Sequence, residues 1–340
     1  MKKTYKTIDL FAGVGGIKIG FEKAGFKTIY SNDFNEKCKI TYDLNSKDIK
    51  LDCRDIWKIT DKRFPKFDIL IAGFPCQAFS IAGYKRGFED EKGRGNLFFA
   101  LEKILKKNKP RAIFLENVKN LTSHDKGNTF RVILNSLESL GYYVKFQVLN
   151  SMTYGNVPQN RERVYIVGFK EIEDHNNFAF PKPENLSVKF TDLLEKNIDD
   201  KYYYAGKPLF EKLKLYEIST GTVYQWRRKY VRENKKGVCP TLTANMGQGG
   251  HNVPIIRDSK GIRKLTPTEC FRLQGFPNDF ELSKTLSDSA LYMQAGNSVT
   301  VPVIASIATN IRKALEGIQI NDQMRLNIVP KLLPNHQAFL

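Results

Sequence analysis

The stretch FDILIAGF (67–74) limits the possible folds most, because it is apolar almost throughout. A strand without a polar face has to be covered on both sides, which is typical of parallel or mostly parallel sheets with helices on each face. Similar strands alternate with helical stretches from KTIDLFAG to RVYIVGF. The pattern predicts an α/β, doubly wound sheet whose ligands bind beyond the carboxyl ends of the strands.

The alternation stops near Phe190, where short polar pieces such as YQWRRKYVRENKK and LTANMGQGGHN follow. We expect this middle segment to form a second, smaller domain of irregular or β structure. Further on, QAGNSVTVPVIASIATNIRKALEG predicts a turn and a final helix that rejoins the first domain. The last 20 or so residues give no prediction.

The charge balance favours a polyanionic partner. Among 340 residues, 54 Lys and Arg stand against 36 Asp and Glu, a net charge of +18. A basic enzyme without nucleic acid explains that charge equally well. The sequence has no long apolar run and no signal-peptide pattern, so we expect a cytoplasmic protein without membrane contact. Five scattered cysteines without C-x-x-C spacing predict neither a metal site nor disulfides.

Three loops at the predicted carboxyl edge carry cofactor signals. FAGVGG (11–16) has the small residues that let a backbone approach a cofactor, although a plain strand-to-helix turn accounts for it equally well. Asp33 ends the second strand, where an acidic side chain commonly binds ribose hydroxyls; alternatively it is the N-cap of helix 35–45. Asp55 is a further acidic residue at this edge and could equally be a cap.

The third strand ends in GFPCQ, where a cysteine stands in the place of a nucleophile. A buried structural thiol is the commoner role of a single cysteine, but Cys76 has company. Glu116 in LENV ends the next strand, and Arg161 and Arg163 in QNRER precede another. A thiol, a carboxyl group and guanidinium groups in one pocket would supply a nucleophile, a general acid and a group that binds a carbonyl oxygen.

Taken together, these motifs resemble those of the cytosine carbon-5 DNA methyltransferases of bacterial restriction-modification systems. The matching stretches occur in the family's order along nearly the whole chain: DLFAGVGG, GFPCQAFS, LENV, YGNVPQNRERVYIVG, RKLTPTECFRLQGFP and QAGNSVTVP. The resemblance implies a Rossmann-like S-adenosylmethionine-dependent methyltransferase sheet with a smaller inserted DNA-recognition domain. It implies a catalytic domain over 1–186, a recognition domain over 187–286 and a C-terminal segment, 287–340, that returns to the catalytic domain.

The resemblance also implies a reaction. The Cys76 thiolate would add to carbon 6 of a cytosine flipped out of the duplex, and carbon 5 would then take the methyl group of S-adenosylmethionine. Protonated Glu116 would donate to ring nitrogen 3, and Arg163 would bind the cytosine carbonyl oxygen. Arg161 or Arg163 would favour the thiolate. The loop over 80–96, rich in glycine and basic residues, would close over the phosphate backbone.

Further residues are assigned by the same resemblance. The expected cofactor contacts are Phe11, Gly13, Gly15, Asp33, Phe34, Asp55, Ile56, Pro75, Leu97, Asn297 and Ser298. The expected DNA contacts are Phe74, Ser80, Gln159, Arg227, Arg228, Lys229 and Arg232. Asp33 stands where many family members have Glu, which leaves its ribose contact open.

We therefore predict a monomeric enzyme that methylates a short, palindromic site in double-stranded DNA and protects host DNA from restriction. The sequence does not decide whether a cognate restriction endonuclease exists. An RNA methyltransferase on the same fold would share the catalytic residues. A methyltransferase of exocyclic amines would carry a Pro-Pro-aromatic motif, which GFPCQ replaces. A non-catalytic DNA-binding relative and an NAD enzyme would both have to explain Cys76, Glu116 and Arg163.

Overall fold

The computed structural model describes residues 3–75, 97–227, 229–234, 237–247 and 253–319. Cys76, Ser80, Arg228 and the predicted loop over 80–96 lie outside this part of the chain, as do the last residues from 320 onward.

The elements follow in chain order. The strands are β1 (Lys6–Leu10), β2 (Lys27–Asn32), β3 (Ile69–Gly73), β4 (Ala112–Val118), β5 (Tyr143–Asn150), β6 (Gln159–Asn160), β7 (Glu162–Phe169), β8 (Val223–Trp226), β9 (Val231–Asn234), β10 (Cys239–Pro240), β11 (Ile255–Arg257) and β12 (Ile262–Lys264). The helices are α1 (Gly16–Lys23), α2 (Glu36–Asn45), α3 (Leu97–Asn108), α4 (Asn128–Ser139), α5 (Ser151–Tyr154), α6 (Ile172–Asn177), α7 (Pro208–Leu213), α8 (Pro267–Arg272), α9 (Asp288–Asn297) and α10 (Val301–Leu315). Short 3-10 turns cover Ile56–Ile59, Lys119–Thr122, His124–Gly127, Phe190–Leu193 and Asp200–Tyr202.

The main sheet has the strand order β2-β1-β3-β4-β7-β5. Strands β2, β1, β3 and β4 are parallel to one another. Strand β7 lies between β4 and β5 and is antiparallel to both. The prediction of a mostly parallel sheet is therefore confirmed. Because the first four strands share one direction, the turns that follow β1, β2 and β3 meet at one edge.

Both faces of the sheet are covered, as the apolar runs required. On one face, Ile8, Leu70 and Ile113 pack with apolar residues of α3 and α4. On the other face, Ile71 and Phe114 pack with apolar residues of α1 and α10. Alternate residues of β3 and β4 thus enter different cores, which explains why these strands have no polar side.

The C-terminal helix returns to the sheet, as predicted, but its approach differs from the prediction. The stretch QAGN is the last turn of helix α9 and not a separate turn. Ser287 caps α9 by accepting a hydrogen bond from the backbone N–H of Ala290. Helix α10 then crosses α1 at Gly20, where an added Cβ would lie 2.5 Å from the side chain of Ile304.

The middle segment forms a second sheet with the order β12-β11-β8-β9, and all its described pairings are antiparallel. Its predicted β character is confirmed. A small core of Tyr224, Trp226, Ile255 and Ile262 packs against α7 on one face. On the other face, Val223 and Ile256 join a larger cluster that includes Val14 of the glycine turn. The second sheet therefore packs in the same cluster as the turn that follows β1.

No helix in the described ranges is both long enough and apolar enough to cross a membrane.

Candidate active site

The glycine turn after β1 is held in place by Asp33. Gly13 and Gly15 have φ values of +55° and +89°, which favour glycine. The backbone N–H of Gly13 donates to Oδ2 of Asp33 at 2.9 Å, and the Asn35 N–H donates to Oδ1 at the same distance. Burial raises the pKa of Asp33, and these two hydrogen bonds act in the opposite direction. Asp33 thus connects the ends of β1 and β2.

The capping alternatives have different outcomes. Asn35, and not Asp33, caps α2, since its side chain accepts from the N–H groups of Lys37 and Cys38. The cap alternative for Asp33 is therefore wrong. Asp55 does cap the 3-10 turn that follows it, by accepting from the Trp57 N–H at 2.9 Å.

Asp55 also lies close to the end of β2. The side-chain amide of Asn32 donates to the carbonyls of Asp52 and Arg54, both at 2.8 Å, and so holds residues 52–54 against this strand. Ile56 is 4% exposed, whereas Phe34 is 69% exposed. An exposed phenylalanine offers a ring face for a planar ligand.

A cleft lies between the glycine turn and the C-terminal segment. Its lining includes Phe11, Gly13, Glu116, Asn297 and Ser298. Ser298 lies so close to α1 that a Cβ on Gly16 would be 2.9 Å from its Oγ. The structure thus brings five predicted residues to one cleft, although Asn297 and Ser298 are more than 280 positions away from Phe11 and Gly13 in the sequence.

Glu116 is the carboxyl group in this cleft. It pairs with Gly73 of β3 and with Tyr165 of β7 in the sheet. Its Oε1 lies 3.2 Å from Nε of Arg163, and the two side chains are 10% and 14% exposed. Burial raises the pKa of Glu116, and the charges of Arg163 and Arg161 oppose this rise. Burial and the two guanidinium groups therefore act in opposite directions on the proton of this carboxyl group.

The backbone that leads to Cys76 is anchored at Phe74. The side-chain amide of Asn117 donates to the Phe74 carbonyl at 2.8 Å. The Phe74 ring is 3% exposed and packs against Phe98 at a centroid distance of 5.9 Å. Pro75 is exposed, and Leu97 packs at the border of the sheet core. The sequence analysis missed Asn117 because it considered only the glutamate of LENV.

Arg161 and Gln159 contact protein backbone. The Arg161 guanidinium donates to the carbonyls of Leu242, Gly296 and Ser298, the first at 2.8 Å. Burial, followed by the charge of Arg163, lowers the pKa of Arg161. Gln159 donates to the Leu273 carbonyl at 2.6 Å and accepts from the Leu242 N–H at 3.1 Å. Both side chains hold the middle segment against the catalytic edge.

The remaining predicted DNA contacts lie on the second sheet, away from the cleft lining. Arg227 and Lys229 are exposed in the turn between β8 and β9, and Arg232 is exposed on β9.

A second buried carboxyl group, Asp9, was missed, although it precedes the glycine turn within DLFAGVGG. It is 0% exposed, and among the described residues neither of its carboxylate oxygens has a hydrogen-bond partner.

The motif order and this geometry agree with one protein family. The family model described as C-5 cytosine-specific DNA methylase matches residues 5–313. The chain belongs to this family. It is a DNA (cytosine-5)-methyltransferase that uses S-adenosylmethionine as methyl donor.

Relatives and solved structures agree with this membership. The type II methyltransferase M.Bsp6I from Bacillus sp. (strain RFL6) is 54% identical over 316 residues, which is 90% of this chain and 98% of the relative. The type II methyltransferase M.HaeII from Haemophilus aegyptius is 40% identical over 331 residues, with coverage of 94% and 99%. The Dnmt2 methyltransferase of S. pombe has a TM-score of 0.72 at 20% identity, with coverage of 92% and 99%, and shows the same fold.

The residues of this cleft have the chemistry to hold S-adenosylmethionine. A Cβ on Gly13 would have no protein atom within 4 Å, so the backbone borders open space. Asp33 and Asp55 lie at the adjacent strand edge, and the Phe34 ring is exposed beside them. When bound, the cofactor supplies a methyl group on a positively charged sulfur.

Proposed function

We propose that this chain methylates carbon 5 of a flipped-out cytosine in a short, palindromic duplex site and protects host DNA in a restriction-modification system. The observation that carries the proposal is Glu116, which lines the same cleft as the glycine turn and Ser298 and is paired with Arg163. The type II character of M.Bsp6I and M.HaeII supports the restriction-modification role. We also propose that the enzyme acts as a monomer.

Cys76 begins the reaction. In the sequence it follows Gly73 by three residues, and Gly73 is paired with Glu116 in the sheet. A free thiol has a pKa of about 8.5, and nearby cations increase the thiolate fraction at neutral pH. Arg163 and Arg161 supply this positive charge. The thiolate forms a bond to carbon 6 of cytosine and pushes the ring electrons toward carbon 5 and nitrogen 3.

Glu116 and Arg163 stabilise that electron shift. The protonated Glu116 carboxyl donates to nitrogen 3 as charge develops there, which its burial favours. Arg163 keeps the carboxyl oriented through their contact and donates to the cytosine carbonyl oxygen. Carbon 5 takes the methyl group and a base removes its proton. The bond between carbon 6 and sulfur then breaks, which restores the ring and the thiolate.

Base flipping follows from the same chemistry, since both faces of a stacked cytosine are covered. We propose that residues 187–286 form the recognition domain between the two parts of the catalytic domain, 1–186 and 287–340. Arg161 and Gln159 support this arrangement, because their bonds to Leu242 and Leu273 tie the middle segment to the catalytic edge. The exposed basic residues Arg227, Lys229 and Arg232 would face the duplex.

The test is transfer of labelled methyl groups to plasmid DNA and, in parallel, to bulk RNA, followed by bisulfite sequencing of the DNA. We expect methylation of one cytosine within one short sequence. Label in RNA alone would overturn the DNA substrate. Label scattered over many DNA sequences would overturn the site-specific role.

Covalent catalysis is tested with duplexes that carry 5-fluorocytosine at the target position. Fluorine replaces the carbon-5 hydrogen and cannot be removed by a base, so the bond between carbon 6 and sulfur is not broken and the wild-type enzyme should remain bound to DNA under denaturing conditions. The Cys76→Ser variant should form no such adduct and should transfer no methyl group to unmodified DNA. The control variant Cys53→Ser should form the adduct and should methylate unmodified DNA. Full activity of Cys76→Ser would exclude this mechanism.

A further inference from the structure

Gln294 of α9 is a buried amide that is bonded to helix α2. Its side chain is 2% exposed. Its Nε2 donates to the Lys37 carbonyl at 2.8 Å, and its Oε1 accepts from the Thr41 hydroxyl at 2.8 Å. Because a carbonyl can only accept, the amide nitrogen has to face Lys37 and the amide oxygen has to face Thr41. The two bonds together hold the amide in one orientation.

The two partners on α2 lie one helical turn apart. A threonine hydroxyl inside a helix can donate to the carbonyl four residues earlier, which for Thr41 is that of Lys37. In this structure the hydroxyl donates to Gln294, and the Lys37 carbonyl accepts from the same amide. Helix α2 therefore offers a donor and an acceptor that match one primary amide of another helix.

This contact lies in the wall of the cleft that contains the glycine turn. Gln294 and Cys38, which is in the first turn of α2, both line the cleft. The same end of α2 is joined to the glycine turn through Asp33, which accepts from the N–H groups of Gly13 and Asn35. The start of α2 is thus connected to the glycine turn on one side and to α9 on the other.

Ser298 completes the circuit around the cleft. It follows α9 directly, and a Cβ on Gly16 would lie 2.9 Å from its Oγ. The glycine turn, α2 and the end of α9 are therefore joined pairwise around one cleft. Gln294 makes the contact between α2 and α9 in this circuit.

Asn45 forms a comparable contact outside the circuit. Its side-chain amide donates to the Glu281 carbonyl at 2.8 Å and accepts from the Glu281 N–H at 2.7 Å. Asn45 is the last residue of α2, so it lies about 10 Å along the helix from Cys38. The far end of α2 is thus also bonded to the C-terminal part of the chain, but away from the cleft lining.

We propose that Gln294 is a positioning residue for the methyl donor, because it holds the first turns of α2 against α9 and so fixes the width of the cleft. This inference rests on the cleft being the place where S-adenosylmethionine binds. It assigns to Gln294 an effect on cofactor affinity and none on the chemical step.

The test is calorimetric titration of the full chain with S-adenosylhomocysteine. Gln294→Met keeps the length of the side chain and removes the amide. The Kd should rise by about 5- to 50-fold, within the range that the loss of a buried hydrogen-bonded contact allows. The KM for S-adenosylmethionine should rise in parallel, whereas kcat at saturating cofactor and the KM for DNA should stay close to the wild-type values.

Two variants of Thr41 separate the hydrogen bond from packing. Thr41→Val is isosteric but has no hydroxyl, so it should reproduce part of the rise in Kd. Thr41→Ser loses a methyl group but keeps the donor, and its Kd should stay close to the wild-type value. A role in packing alone would reverse this order. The pair also carries the test if Gln294→Met does not fold.

Asn45→Ala is the matched control. It removes the other amide contact of α2, so the melting temperature should fall while the Kd for S-adenosylhomocysteine stays the same. An equal rise in Kd in Asn45→Ala and Gln294→Met would overturn the inference, as would a folded Gln294→Met with an unchanged Kd.

Asn297→Ala tests the underlying position of the cofactor, since Asn297 also lines the cleft. A higher Kd in Asn297→Ala together with an unchanged Kd in Gln294→Met would overturn only the role of Gln294. An unchanged Kd in both variants would show that the cofactor binds elsewhere.

Discussion

The Nε atom of Arg163 lies 3.2 Å from a carboxylate oxygen of Glu116 where both side chains are nearly buried. Burial of Glu116 and the charge of Arg163 shift the pKa of the carboxyl group in opposite directions. Burial favours the neutral acid, whereas the guanidinium favours the carboxylate. This balance lets one carboxyl group donate a hydrogen bond to the substrate and still keep its orientation.

Glu116→Gln should lower kcat by about 100- to 10,000-fold, because an amide cannot supply the proton of a general acid. S-adenosylmethionine binding should change little. In the wild-type enzyme kcat/KM should fall as pH rises through the raised pKa of Glu116, since only the protonated form donates. Pre-steady-state methyl transfer over a range of pH measures both effects.

The control for this change is Glu162→Gln. Glu162 is the sequence neighbour of Arg163, but it forms a surface ion pair with Lys119 at 3.0 Å. An exposed ion pair contributes at most about 1 kcal/mol. Near wild-type kcat is expected, and an equal loss in the two variants would contradict a specific role for Glu116.

Asn117→Asp should impair catalysis without removing a reacting group. The isosteric carboxylate keeps the acceptor for the Val118 N–H but cannot donate to the Phe74 carbonyl. A buried carbonyl left without its donor costs about 1–3 kcal/mol, and the strand end that leads to Cys76 loses its anchor. We expect a lower melting temperature and a drop in kcat that exceeds any change in the KM for S-adenosylmethionine.

Asn120→Asp, three residues further on, is exposed and provides the control for added negative charge. Thermal melts and steady-state kinetics of both variants decide the question. Wild-type kcat in Asn117→Asp would show that the anchor is dispensable.

Asp9→Asn should change the pH dependence of stability. Burial raises the pKa of Asp9 well above 3.8, although the charge of Lys18 acts in the opposite direction. A raised folded pKa gives stability that is present below the unfolded value and lost as pH rises through the folded value. Each tenfold gain in proton affinity on folding therefore costs about 1.4 kcal/mol above that pH.

Urea unfolding from pH 4 to pH 8 measures this loss. The unfolding free energy of Asp9→Asn should exceed that of the wild type at pH 8 and approach it at pH 4. Tyr42, Asp33 and Glu22 also interact electrostatically with this group. They are present in both proteins, so the difference between the two pH curves reports on Asp9. Asp61→Asn is the control, because that side chain is fully exposed. Parallel pH curves for wild type and Asp9→Asn would contradict the prediction.

Gly296→Ala should separate the middle segment from the cleft. The new Cβ would lie 2.1 Å from the Thr243 carbonyl oxygen and 2.6 Å from the Ala244 backbone nitrogen. Backbone atoms cannot rotate away, so the turn at 243–246 has to shift, at a cost of about 1–3 kcal/mol. We expect a lower melting temperature and a higher KM for DNA.

Gly20→Ala distinguishes this effect from general destabilisation. Its Cβ would meet the Ile304 side chain at the crossing of α1 and α10, away from the middle segment. Melting temperature should fall in both variants, whereas the KM for DNA should rise only in Gly296→Ala. Equal KM values for DNA in Gly296→Ala and Gly20→Ala would show that the contact at Thr243 does not position the middle segment.

The parts of the fold that were predictable depend on local patterns. The apolar run at β3 required cover on both faces, and FAGVGG indicated a glycine turn, in which the structure shows positive φ at Gly13 and Gly15. Because the carboxyl ends of parallel strands meet, Asp33 and Glu116 could be assigned to one edge from their places in the sequence. The reaction itself came from the motif order and not from these patterns.

The contacts that could not be predicted join distant parts of the chain. The acceptors of Arg161 at Leu242 and Ser298 are 81 and 137 positions away. No local pattern distinguishes an arginine that binds backbone carbonyls from one that binds substrate. The end of α9 was missed for a related reason, because the glycine in QAGN suggested a turn, while the approach of Thr243 requires glycine inside the helix.

The position of Ser298 also has a consequence for synthesis. One wall of the cleft, at Asn297 and Ser298, follows the middle segment in the chain, while the opposite wall at Phe11 and Gly13 is made first. A ribosome therefore completes the second sheet before it completes the cleft. A nascent or prematurely terminated chain that stops before Asn297 lacks one wall of the cleft, although the whole of the second sheet has already been translated.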